Sequence, residues 1–413
     1  LMNKAKDLLK DEMTRISYDT WIKNLEIVAK EGNTYVKSNT NEMPKAGYIL
    51  NISESSCTGG ATISQDFNSR EVSVTATKEA KCNFYFDEYN PNIVEVKNDN
   101  RYNTSSVDVI DNGSIGTGSN ACTNTVAYDN TNDNNLRYVG KKPCNYVTFN
   151  GETAGWRIVG IMNNVDDGTG VTETRIKLIR GSSLGNYSWD TSDSSVNSGY
   201  GVNDWTQADL KNELNGDYLN TSLNANTNWY NGSNNTQTAT FDYTKRLSAG
   251  AQELIGDAKW YLGGHYTETD RIPSTMYTKE RGTTVWGSTS GQTCNDGACP
   301  RATEWTGKVA LIYPSDYGYA VGGSVRSTCL GKNLSTYNSD SCYTNDWIYS
   351  YFTQWLLSPN SYLDYNAFRV NDTGSVYSSN AYTYFAVRPA VYLESSVTIS
   401  GGNGTGSEPY VIG

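Results

Sequence analysis

The sequence has almost no histidine, and this scarcity removes several kinds of catalytic site. His265 is the single histidine among 413 residues. An all-histidine metal site is therefore excluded, and a Ser-His-Asp triad would have to use this one residue. His265 follows a predicted helix end, where we expect a solvated loop position. The chain also lacks a phosphate-binding Gly-x-x-x-x-Gly-Lys-Ser/Thr loop and a dinucleotide-binding fingerprint.

Basic clusters and long apolar runs are also missing. The chain carries 33 Lys and Arg against 44 Asp and Glu, a net charge of -11, which repels phosphate backbones. No apolar run reaches the roughly 18 residues that a membrane-spanning helix needs. The sequence therefore predicts no nucleic-acid partner and no membrane span.

The paired carboxylates are better explained by structure than by catalysis. Asp166 and Asp167 precede a glycine, as in a turn, and Glu253 and Asp257 belong to the solvated side of a predicted helix. The spacing of a calcium-binding EF-hand loop is missing. We expect a non-enzymatic protein without a cofactor or metal; a glycosidase or an oxidase is the less favoured alternative.

Eight cysteines fall into four neighbouring couples without any Cys-x-x-Cys spacing, which disfavours zinc ribbons and thioredoxin-like motifs. Short loops lose the least entropy on closure, so each couple predicts a local disulfide bond. Such bonds indicate an extracellular, secreted or cell-surface protein; eight free thiols in a cytosolic protein are the alternative. The predicted bonds are Cys57–Cys82, Cys122–Cys144, Cys294–Cys299 and Cys329–Cys342.

The chain divides by composition into four parts. Residues 1–45 predict a helical segment, with an amphipathic helix from Met2 to Ile27 that supports either a spacer or self-assembly. Residues 46–90 predict a small disulfide-linked β domain, residues 91–135 a polar linker, and residues 136–413 the main domain. In the first part, residues 16–25 (Ile-Ser-Tyr-Asp-Thr-Trp-Ile-Lys-Asn-Leu) resemble the N-terminal, partner-binding domain of the replication initiator DnaA. No nucleotide-binding loop follows, so initiator function is not implied.

The main domain predicts an α+β fold rich in strands, with two helices. One helix runs from Trp205 to Leu219 with Thr206 as its N-cap, and the other from Ser248 to Leu262. Asp166-Asp167-Gly168-Thr169-Gly170 predicts one hairpin turn, and Asn371-Asp372-Thr373-Gly374 predicts another near the C-terminus.

The stretch from Trp355 to Tyr384 is dense in Tyr, Asn and Ser. Tyrosine supplies rigid contact area and Asn and Ser supply adaptable hydrogen bonds, so these residues are typical of recognition loops. Hairpin rims of a secreted β protein are the structural alternative. The candidate ligand-binding residues are Trp355, Tyr362, Tyr365, Asn366, Tyr377, Asn380, Tyr382 and Tyr384.

Seven motifs in the main domain occur in the order of a bacterial domain of unknown function that is common in secreted proteins of gut Firmicutes. They are Arg-Tyr-Val-Gly (137–140), Tyr-Val-Thr-Phe-Asn (146–150), Trp-Arg-Ile-Val-Gly (156–160), Ile-Lys-Leu-Ile-Arg (176–180), Trp-Thr-Gly-Lys-Val-Ala-Leu (305–311), Pro-Ser-Asp-Tyr-Gly-Tyr-Ala (314–320) and Ala-Val-Arg-Pro-Ala-Val-Tyr-Leu (386–393). The resemblance covers about residues 136–412.

That domain is in turn similar to the C-type-lectin-like fold of the variable proteins of diversity-generating retroelements. The resemblance implies a C-type-lectin-like main domain whose final hairpins carry a hypervariable ligand surface, at Trp355–Tyr384 in this chain. The related formylglycine-generating enzymes use active-site cysteines. Every cysteine here has a predicted disulfide partner, so that activity is not implied.

Together these observations predict a secreted recognition protein, or adhesin, that binds a protein or a glycan through the C-terminal surface. The alternative is a structural or receptor-binding module of a phage tail tip or surface filament, with residues 1–45 driving assembly.

Overall fold

The chain divides into two units, Leu1–Ile115 and Gly116–Gly413. The structure, a computed structural model, describes residues 21–27, 34–38, 48–65, 72–76, 80–88, 91–99, 109–191, 200–233, 236–267, 269–283, 301–339, 341–361 and 363–413. Short strands outnumber helices in both units, and the six α-helices of the described residues have at most eight residues each. The predicted α+β class with a predominance of strands is confirmed.

The first unit contains two small antiparallel sheets and one helix. In one sheet β7 pairs with β1, β3 and β4, and in the other β6 lies between β2 and β5. Its elements are β1 (Trp21–Ile27), β2 (Thr34–Ser38), β3 (Tyr48–Leu50), β4 (Ser56–Cys57), β5 (Thr62–Gln65), β6 (Val72–Ala76), β7 (Ala80–Glu88), α1 (Ile93–Asn98) and β8 (Val109–Ile115).

The N-terminal prediction is wrong over the part that the structure describes. Trp21–Ile27 forms a strand, not a helix, and pairs in antiparallel register with β7 from Trp21 opposite Phe86 to Ile27 opposite Ala80. Pairing with a neighbouring strand outweighs the local helical spacing, because tertiary context overrides weak helix propensity. The rest of the predicted helix lies outside the described residues.

Alternating residues of β6 and β7 build the core of the first unit. Val72, Val74, Phe84 and Phe86 are buried together with Leu50 and Cys82, as the two-residue period of a strand requires. The predicted Cys57–Cys82 bond joins β4 to β7, where the two cysteines are direct cross-strand partners. The predicted bond thus links two strands of a small sheet that also includes β1, which lies before residue 46.

The segment predicted as a polar linker has regular structure of its own. It contains α1, β8 and a further strand, β9 (Cys122–Tyr128). Asn92 caps α1 by accepting hydrogen bonds from the backbone N–H groups of Val94 and Glu95. Side-chain capping and strand pairing thus order a stretch whose composition resembles a linker.

After β9, the second unit alternates strands with short helices. Its further elements are β10 (Leu136–Tyr138), β11 (Tyr146–Phe149), β12 (Glu152–Asp166), β13 (Thr172–Arg180), β14 (Asn186–Ser188), α2 (Asp209–Asn215), β15 (Thr227–Tyr230), β16 (Thr238–Phe241), α3 (Ala249–Glu253), β17 (Ala258–Tyr261), α4 (Pro273–Glu280), β18 (Glu304–Gly307), β19 (Val309–Ala310), α5 (Pro314–Tyr319), α6 (Arg326–Leu330), β20 (Gln354–Pro359), β21 (Asn366–Val370), β22 (Val376–Asn380), β23 (Tyr384–Ala386), β24 (Ala390–Tyr392), β25 (Ile399–Gly401) and β26 (Tyr410–Ile412).

The main sheet of this unit is built around the predicted hairpin β12–β13. Its strand order runs β19, β24, β13, β12, β10 and β9, while β11 pairs with β12 and with β26. At the turn, Asp166 accepts hydrogen bonds from the backbone N–H groups of Gly168 and Gly170. This confirms Asp166 as a turn residue. Strand β13 is buried over its last six residues, as expected of a strand covered on both faces.

Gly160 allows the close approach of β12 to β10. A Cβ atom at this position would lie 2.4 Å from the carbonyl oxygen of Leu136 and 3.0 Å from Cα of Arg137. Because both contacts are with backbone, Gly160→Ala is expected to lower the free energy of unfolding by about 1–3 kcal/mol. Urea denaturation of the variant measures this loss. The matched control is Gly250→Ala in α3, where a Cβ has no neighbour within 4 Å and alanine favours the helix; equal losses in the two variants would contradict the steric argument.

Both predicted helices of the main domain are shorter than the sequence indicates. The first is α2, which begins after Ala208 rather than at Thr206 and is followed by the separate 3-10 turn Asp217–Leu219. The second, α3, has the expected cap, since Ser248 Oγ accepts from the N–H of Ala251, but it ends at Glu253. Ala258 and Trp260 have the two-residue period of β17, and pairing with β18 converts the predicted second half into a strand.

A cluster of charged side chains lies in the core of the second unit. Asp316 of α5 forms ion pairs with Lys177 of β13 and Arg137 of β10, each at 2.6 Å, and Arg137 also pairs with Asp129 at 2.8 Å. All four side chains are at most 2% exposed. We call Asp129, Arg137, Lys177 and Asp316 the ionic cluster. Each charge has an opposite partner, which is the condition for keeping charges inside a protein.

Three of the four predicted disulfide bonds lie within the described residues, and all three are confirmed. They are Cys57–Cys82, Cys122–Cys144 and Cys329–Cys342. Cys294 and Cys299 lie outside the described residues.

Candidate functional site

A five-stranded sheet formed mainly by the C-terminal hairpins carries most of the predicted binding residues. Its strand order is β14, β23, β20, β21 and β22. The predicted turn at Asn371 joins β21 to β22, with Gly374 N–H donating to the carbonyl of Asn371. Residues opposite each other across this hairpin share a face of the sheet, as Arg369 does with Tyr377.

Trp355 is the direct cross-strand partner of Arg369 and lies on the same face, but it is buried. Its side chain is 2% exposed, and its indole N–H donates to the carbonyl oxygen of Tyr187 at 3.0 Å. The ring of Phe385 meets it edge to face, with 4.8 Å between centroids. Trp355 is therefore unavailable to a ligand in this conformation and instead supports the neighbouring Phe385.

Arg369 lies beside Trp355 on the neighbouring strand and is held in one orientation. Its Nε donates to Ser379 Oγ at 2.6 Å, and its guanidinium carbon lies 5.2 Å from the ring centroid of Phe385. Tyr377, its cross-strand partner, is 38% exposed. Partial burial lowers the pKa of Arg369 from its ordinary value, opposed by the nearby Asp372 and Tyr377. The residue remains a cation at neutral pH.

A row of tyrosines continues this surface before β20. The rings of Tyr349 and Tyr351 are 5.3 Å apart, and Tyr343 lies 4.9 Å from Tyr349. The Tyr349 hydroxyl donates to the carbonyl oxygen of Asp372 in the β21–β22 turn. Tyr351 is 90% exposed and Phe352 is 39% exposed. We call the exposed and partly exposed aromatic residues of this sheet and of the segment before β20 the aromatic surface: Tyr349, Tyr351, Phe352, Tyr377, Tyr384 and Phe385. Tyr384 and Phe385 are consecutive in β23, so their side chains point to opposite faces of the sheet.

Three further tyrosines form a second group. The ring of Tyr200 lies 4.9 Å from that of Tyr365 and 5.8 Å, nearly parallel, from that of Tyr382. We call these three residues the tyrosine stack. Tyr200 is 37% exposed, and the other two are half-buried.

The structure separates the eight predicted binding residues. Tyr377 and the 52% exposed Tyr384 belong to the aromatic surface, while Tyr365 and Tyr382 belong to the tyrosine stack. Asn366 is 8% exposed, and Asn380 is its partly exposed partner across β21 and β22. Tyr362 lies outside the described residues.

Sequence reasoning missed Arg369, Tyr200 and the segment from Tyr349 to Phe352. A signal was present in that segment, Tyr-Ser-Tyr-Phe, because three aromatics within four residues do not fit the alternation of a half-buried strand. Tyr200 carried no such signal, since its partners are more than 160 positions away and meet it only in the folded chain.

Metal binding by the described residues would need a cluster of His, Cys, Asp or Glu side chains. No group of three or more His, Cys, Asp or Glu side chains among them is arranged to hold a metal ion. The solvated position predicted for His265 is wrong: the residue is 4% exposed, and its Nε2 lies 2.7 Å from the carbonyl oxygen of Asp270. Burial lowers the pKa of His265 below its usual value.

None of the helices in the described ranges combines the length and apolar character needed to cross a bilayer. No protein-family model, curated protein or solved structure matches the chain.

Proposed function

We propose that the chain is a non-enzymatic recognition protein that binds a protein or glycan ligand through the aromatic surface. One observation carries this proposal. Among the described residues, five aromatic side chains are more than a third exposed, and all five belong to the aromatic surface or the tyrosine stack. They are Tyr200, Tyr351, Phe352, Tyr377 and Tyr384.

Such clustering favours binding because exposed aromatic area is costly in water and is regained when a ligand covers it. The packing of residues next to the exposed rings strengthens this argument. Trp355 and Phe385 pack against each other, and Ser379 fixes Arg369, so the surface is already ordered before a ligand arrives. Preorganised side chains lose less conformational entropy on binding.

Location outside the cell is part of the proposal. The three observed disulfide bonds support it, because such bonds persist in oxidising compartments and are rare in the cytosol of most organisms. A C-type-lectin-like fold for the second unit, with sequence diversity at the hairpin surface, rests on the motif resemblance. Tyr377 and Tyr384 of the aromatic surface belong to the stretch Trp355–Tyr384, where that resemblance predicts ligand contact, and the other four residues lie just outside it.

The test is a binding comparison on protein and glycan arrays. Tyr351→Ala/Tyr377→Ala/Tyr384→Ala is expected to weaken binding of any ligand found for the wild type by at least about 100-fold, as the loss of several aromatic contacts implies. Because all three side chains are exposed, the thermal unfolding midpoint should stay close to the wild-type value.

The matched control replaces two exposed apolar residues outside the aromatic surface. Val171 is 57% and Val411 is 50% exposed, and Val171→Ala/Val411→Ala is expected to bind as the wild type does. A ligand bound equally well by the triple variant would show that the binding site lies elsewhere.

A further inference from the structure

Arg369 is the cation that the aromatic surface offers to a ligand. After Lys332 the sequence has two basic residues, Arg369 and Arg388. Arg388 is 6% exposed and donates to the carbonyl oxygens of Arg180 and Ile348 and to the Gln354 side chain. Of these two residues, Arg369 is the one that a bound anion can reach, since it is partly exposed.

The two terminal nitrogens of the Arg369 guanidinium are unpaired among the described residues. Its Nε is occupied by Ser379, but neither terminal nitrogen forms a hydrogen bond or ion pair with any of the described residues. The ring of Phe385 and the Nε bond orient the group. A planar guanidinium fixed at Nε and free at its terminal nitrogens presents N–H donors in the fork geometry that matches a carboxylate.

The surroundings of Arg369 favour a sugar. The exposed ring of Tyr377 is its cross-strand neighbour, the partly exposed ring of Phe385 packs against it, and Ser379 of β22 supplies a partly exposed hydroxyl on the same face. Pyranose rings present C–H groups that the electron-rich face of an aromatic ring attracts, and their hydroxyls pair with such polar side chains. No aliphatic side chain of the described part of 349–386 is exposed.

Charge adds specificity to this arrangement. With a net charge of -11, the protein as a whole repels anions. An oriented cation that forms no ion pair with any described residue, next to Tyr377 and Phe385, selects one anionic group by local contact. We propose that the aromatic surface recognises an acidic sugar, a uronic or sialic acid residue whose carboxylate is bound by Arg369. This inference rests on the proposed function and narrows its ligand class.

The experiment compares sugars that differ only in the carboxylate. An oligogalacturonate and its methyl ester form one pair, and sialyllactose and lactose form the other. Isothermal titration calorimetry with the full chain should show binding of at least one acid about 10- to 100-fold tighter than of its neutral counterpart, the range expected for a charge-assisted fork.

Two substitutions separate charge from geometry. Arg369→Gln is expected to remove the preference for the acid, whereas Arg369→Lys keeps the charge without the fork and should retain only part of it. Arg246→Gln is the matched control, since this arginine also lies over a tyrosine ring, Tyr243, but outside the aromatic surface; its preference should equal that of the wild type. Thermal unfolding shows that each variant is folded.

The outcomes distinguish this inference from the proposed function. Equal affinity for acid and ester, or an unchanged preference in Arg369→Gln, overturns the carboxylate inference. If the triple tyrosine variant still loses binding in that case, the proposed function stands. Failure of the wild type to bind any acidic sugar, with binding of a protein ligand instead, also overturns the inference.

Discussion

Asp316→Ala is expected to lower the free energy of unfolding by about 3–5 kcal/mol, the usual loss when one member of a buried ion pair is removed. The substitution leaves Lys177 without its anion at a fully buried position. It also removes the acceptor of the Tyr313 backbone N–H. Urea or thermal denaturation, followed by a spectroscopic signal of the second unit, measures this loss of stability.

The physical reason is that opposite charges within the ionic cluster offset the cost of burying each charge. Burial alone would raise the pKa of Asp316, but Lys177 and Arg137 outweigh it and hold that pKa far below its usual range. Burial lowers the pKa of Lys177 to about 8, with Asp316 opposing the shift. Three rings also surround the Lys177 ammonium, those of Trp260, Tyr313 and Tyr392, at 4.5–5.1 Å from their centroids.

Two further variants test this explanation. Asp257→Ala removes an exposed carboxylate with the same substitution and should leave stability nearly unchanged. Lys177→Met/Asp316→Ala should be more stable than Asp316→Ala alone, because the double variant no longer buries an unpaired ammonium. If the double variant were the less stable of the two, the charge argument would be wrong and loss of packing would explain the result.

Cys122→Ala/Cys144→Ala is expected to lower the free energy of unfolding by about 3 kcal/mol, because the bond closes a loop with a sequence separation of 22 in the unfolded chain. The bond ties the start of β9 to the segment before β11, and Cys144 N–H also donates to the Thr123 carbonyl. Chemical denaturation of the variant and the wild type under non-reducing conditions gives the difference.

Chemical labelling provides the control for this prediction. Alkylation without reduction should leave Cys122 and Cys144 unmodified in the wild type, whereas alkylation after reduction and denaturation should modify them. Labelling of either residue before reduction, or equal stability of variant and wild type, would count against a stabilising bond at this position.

The sequence predicts the structural features that depend on residues close together along the chain. The hairpin turns at Asp166 and Asn371 and the disulfide between Cys122 and Cys144 were all predicted, because each joins residues at most 22 positions apart. The helix predicted at Met2–Ile27 fails over β1 because its decisive contact is the pairing with β7, about 60 residues later. Local spacing carries no information about such a partner.

Sequence reasoning could not predict the ionic cluster or the buried packing next to the aromatic surface. Lys177 within the apolar run of β13 was visible, but its partner Asp316 is 139 positions away. Trp355 was predicted as a ligand contact because it opens the Tyr-rich segment, and only the packing with Phe385 and Tyr187 shows it to be support. An aromatic pattern in the sequence does not distinguish an exposed residue from its buried neighbour.

The exposed tyrosines and the buried residues that hold the sheet together differ in how well they tolerate substitution. Tyr351, Tyr377 and Tyr384 add little to the buried core, so many substitutions there should leave the fold intact, as is usual for surface positions. Trp355 and Phe368 are buried and cannot vary in the same way. The five-stranded sheet is therefore suited to carry a combinatorial library, with the exposed tyrosine positions randomised and the support kept constant.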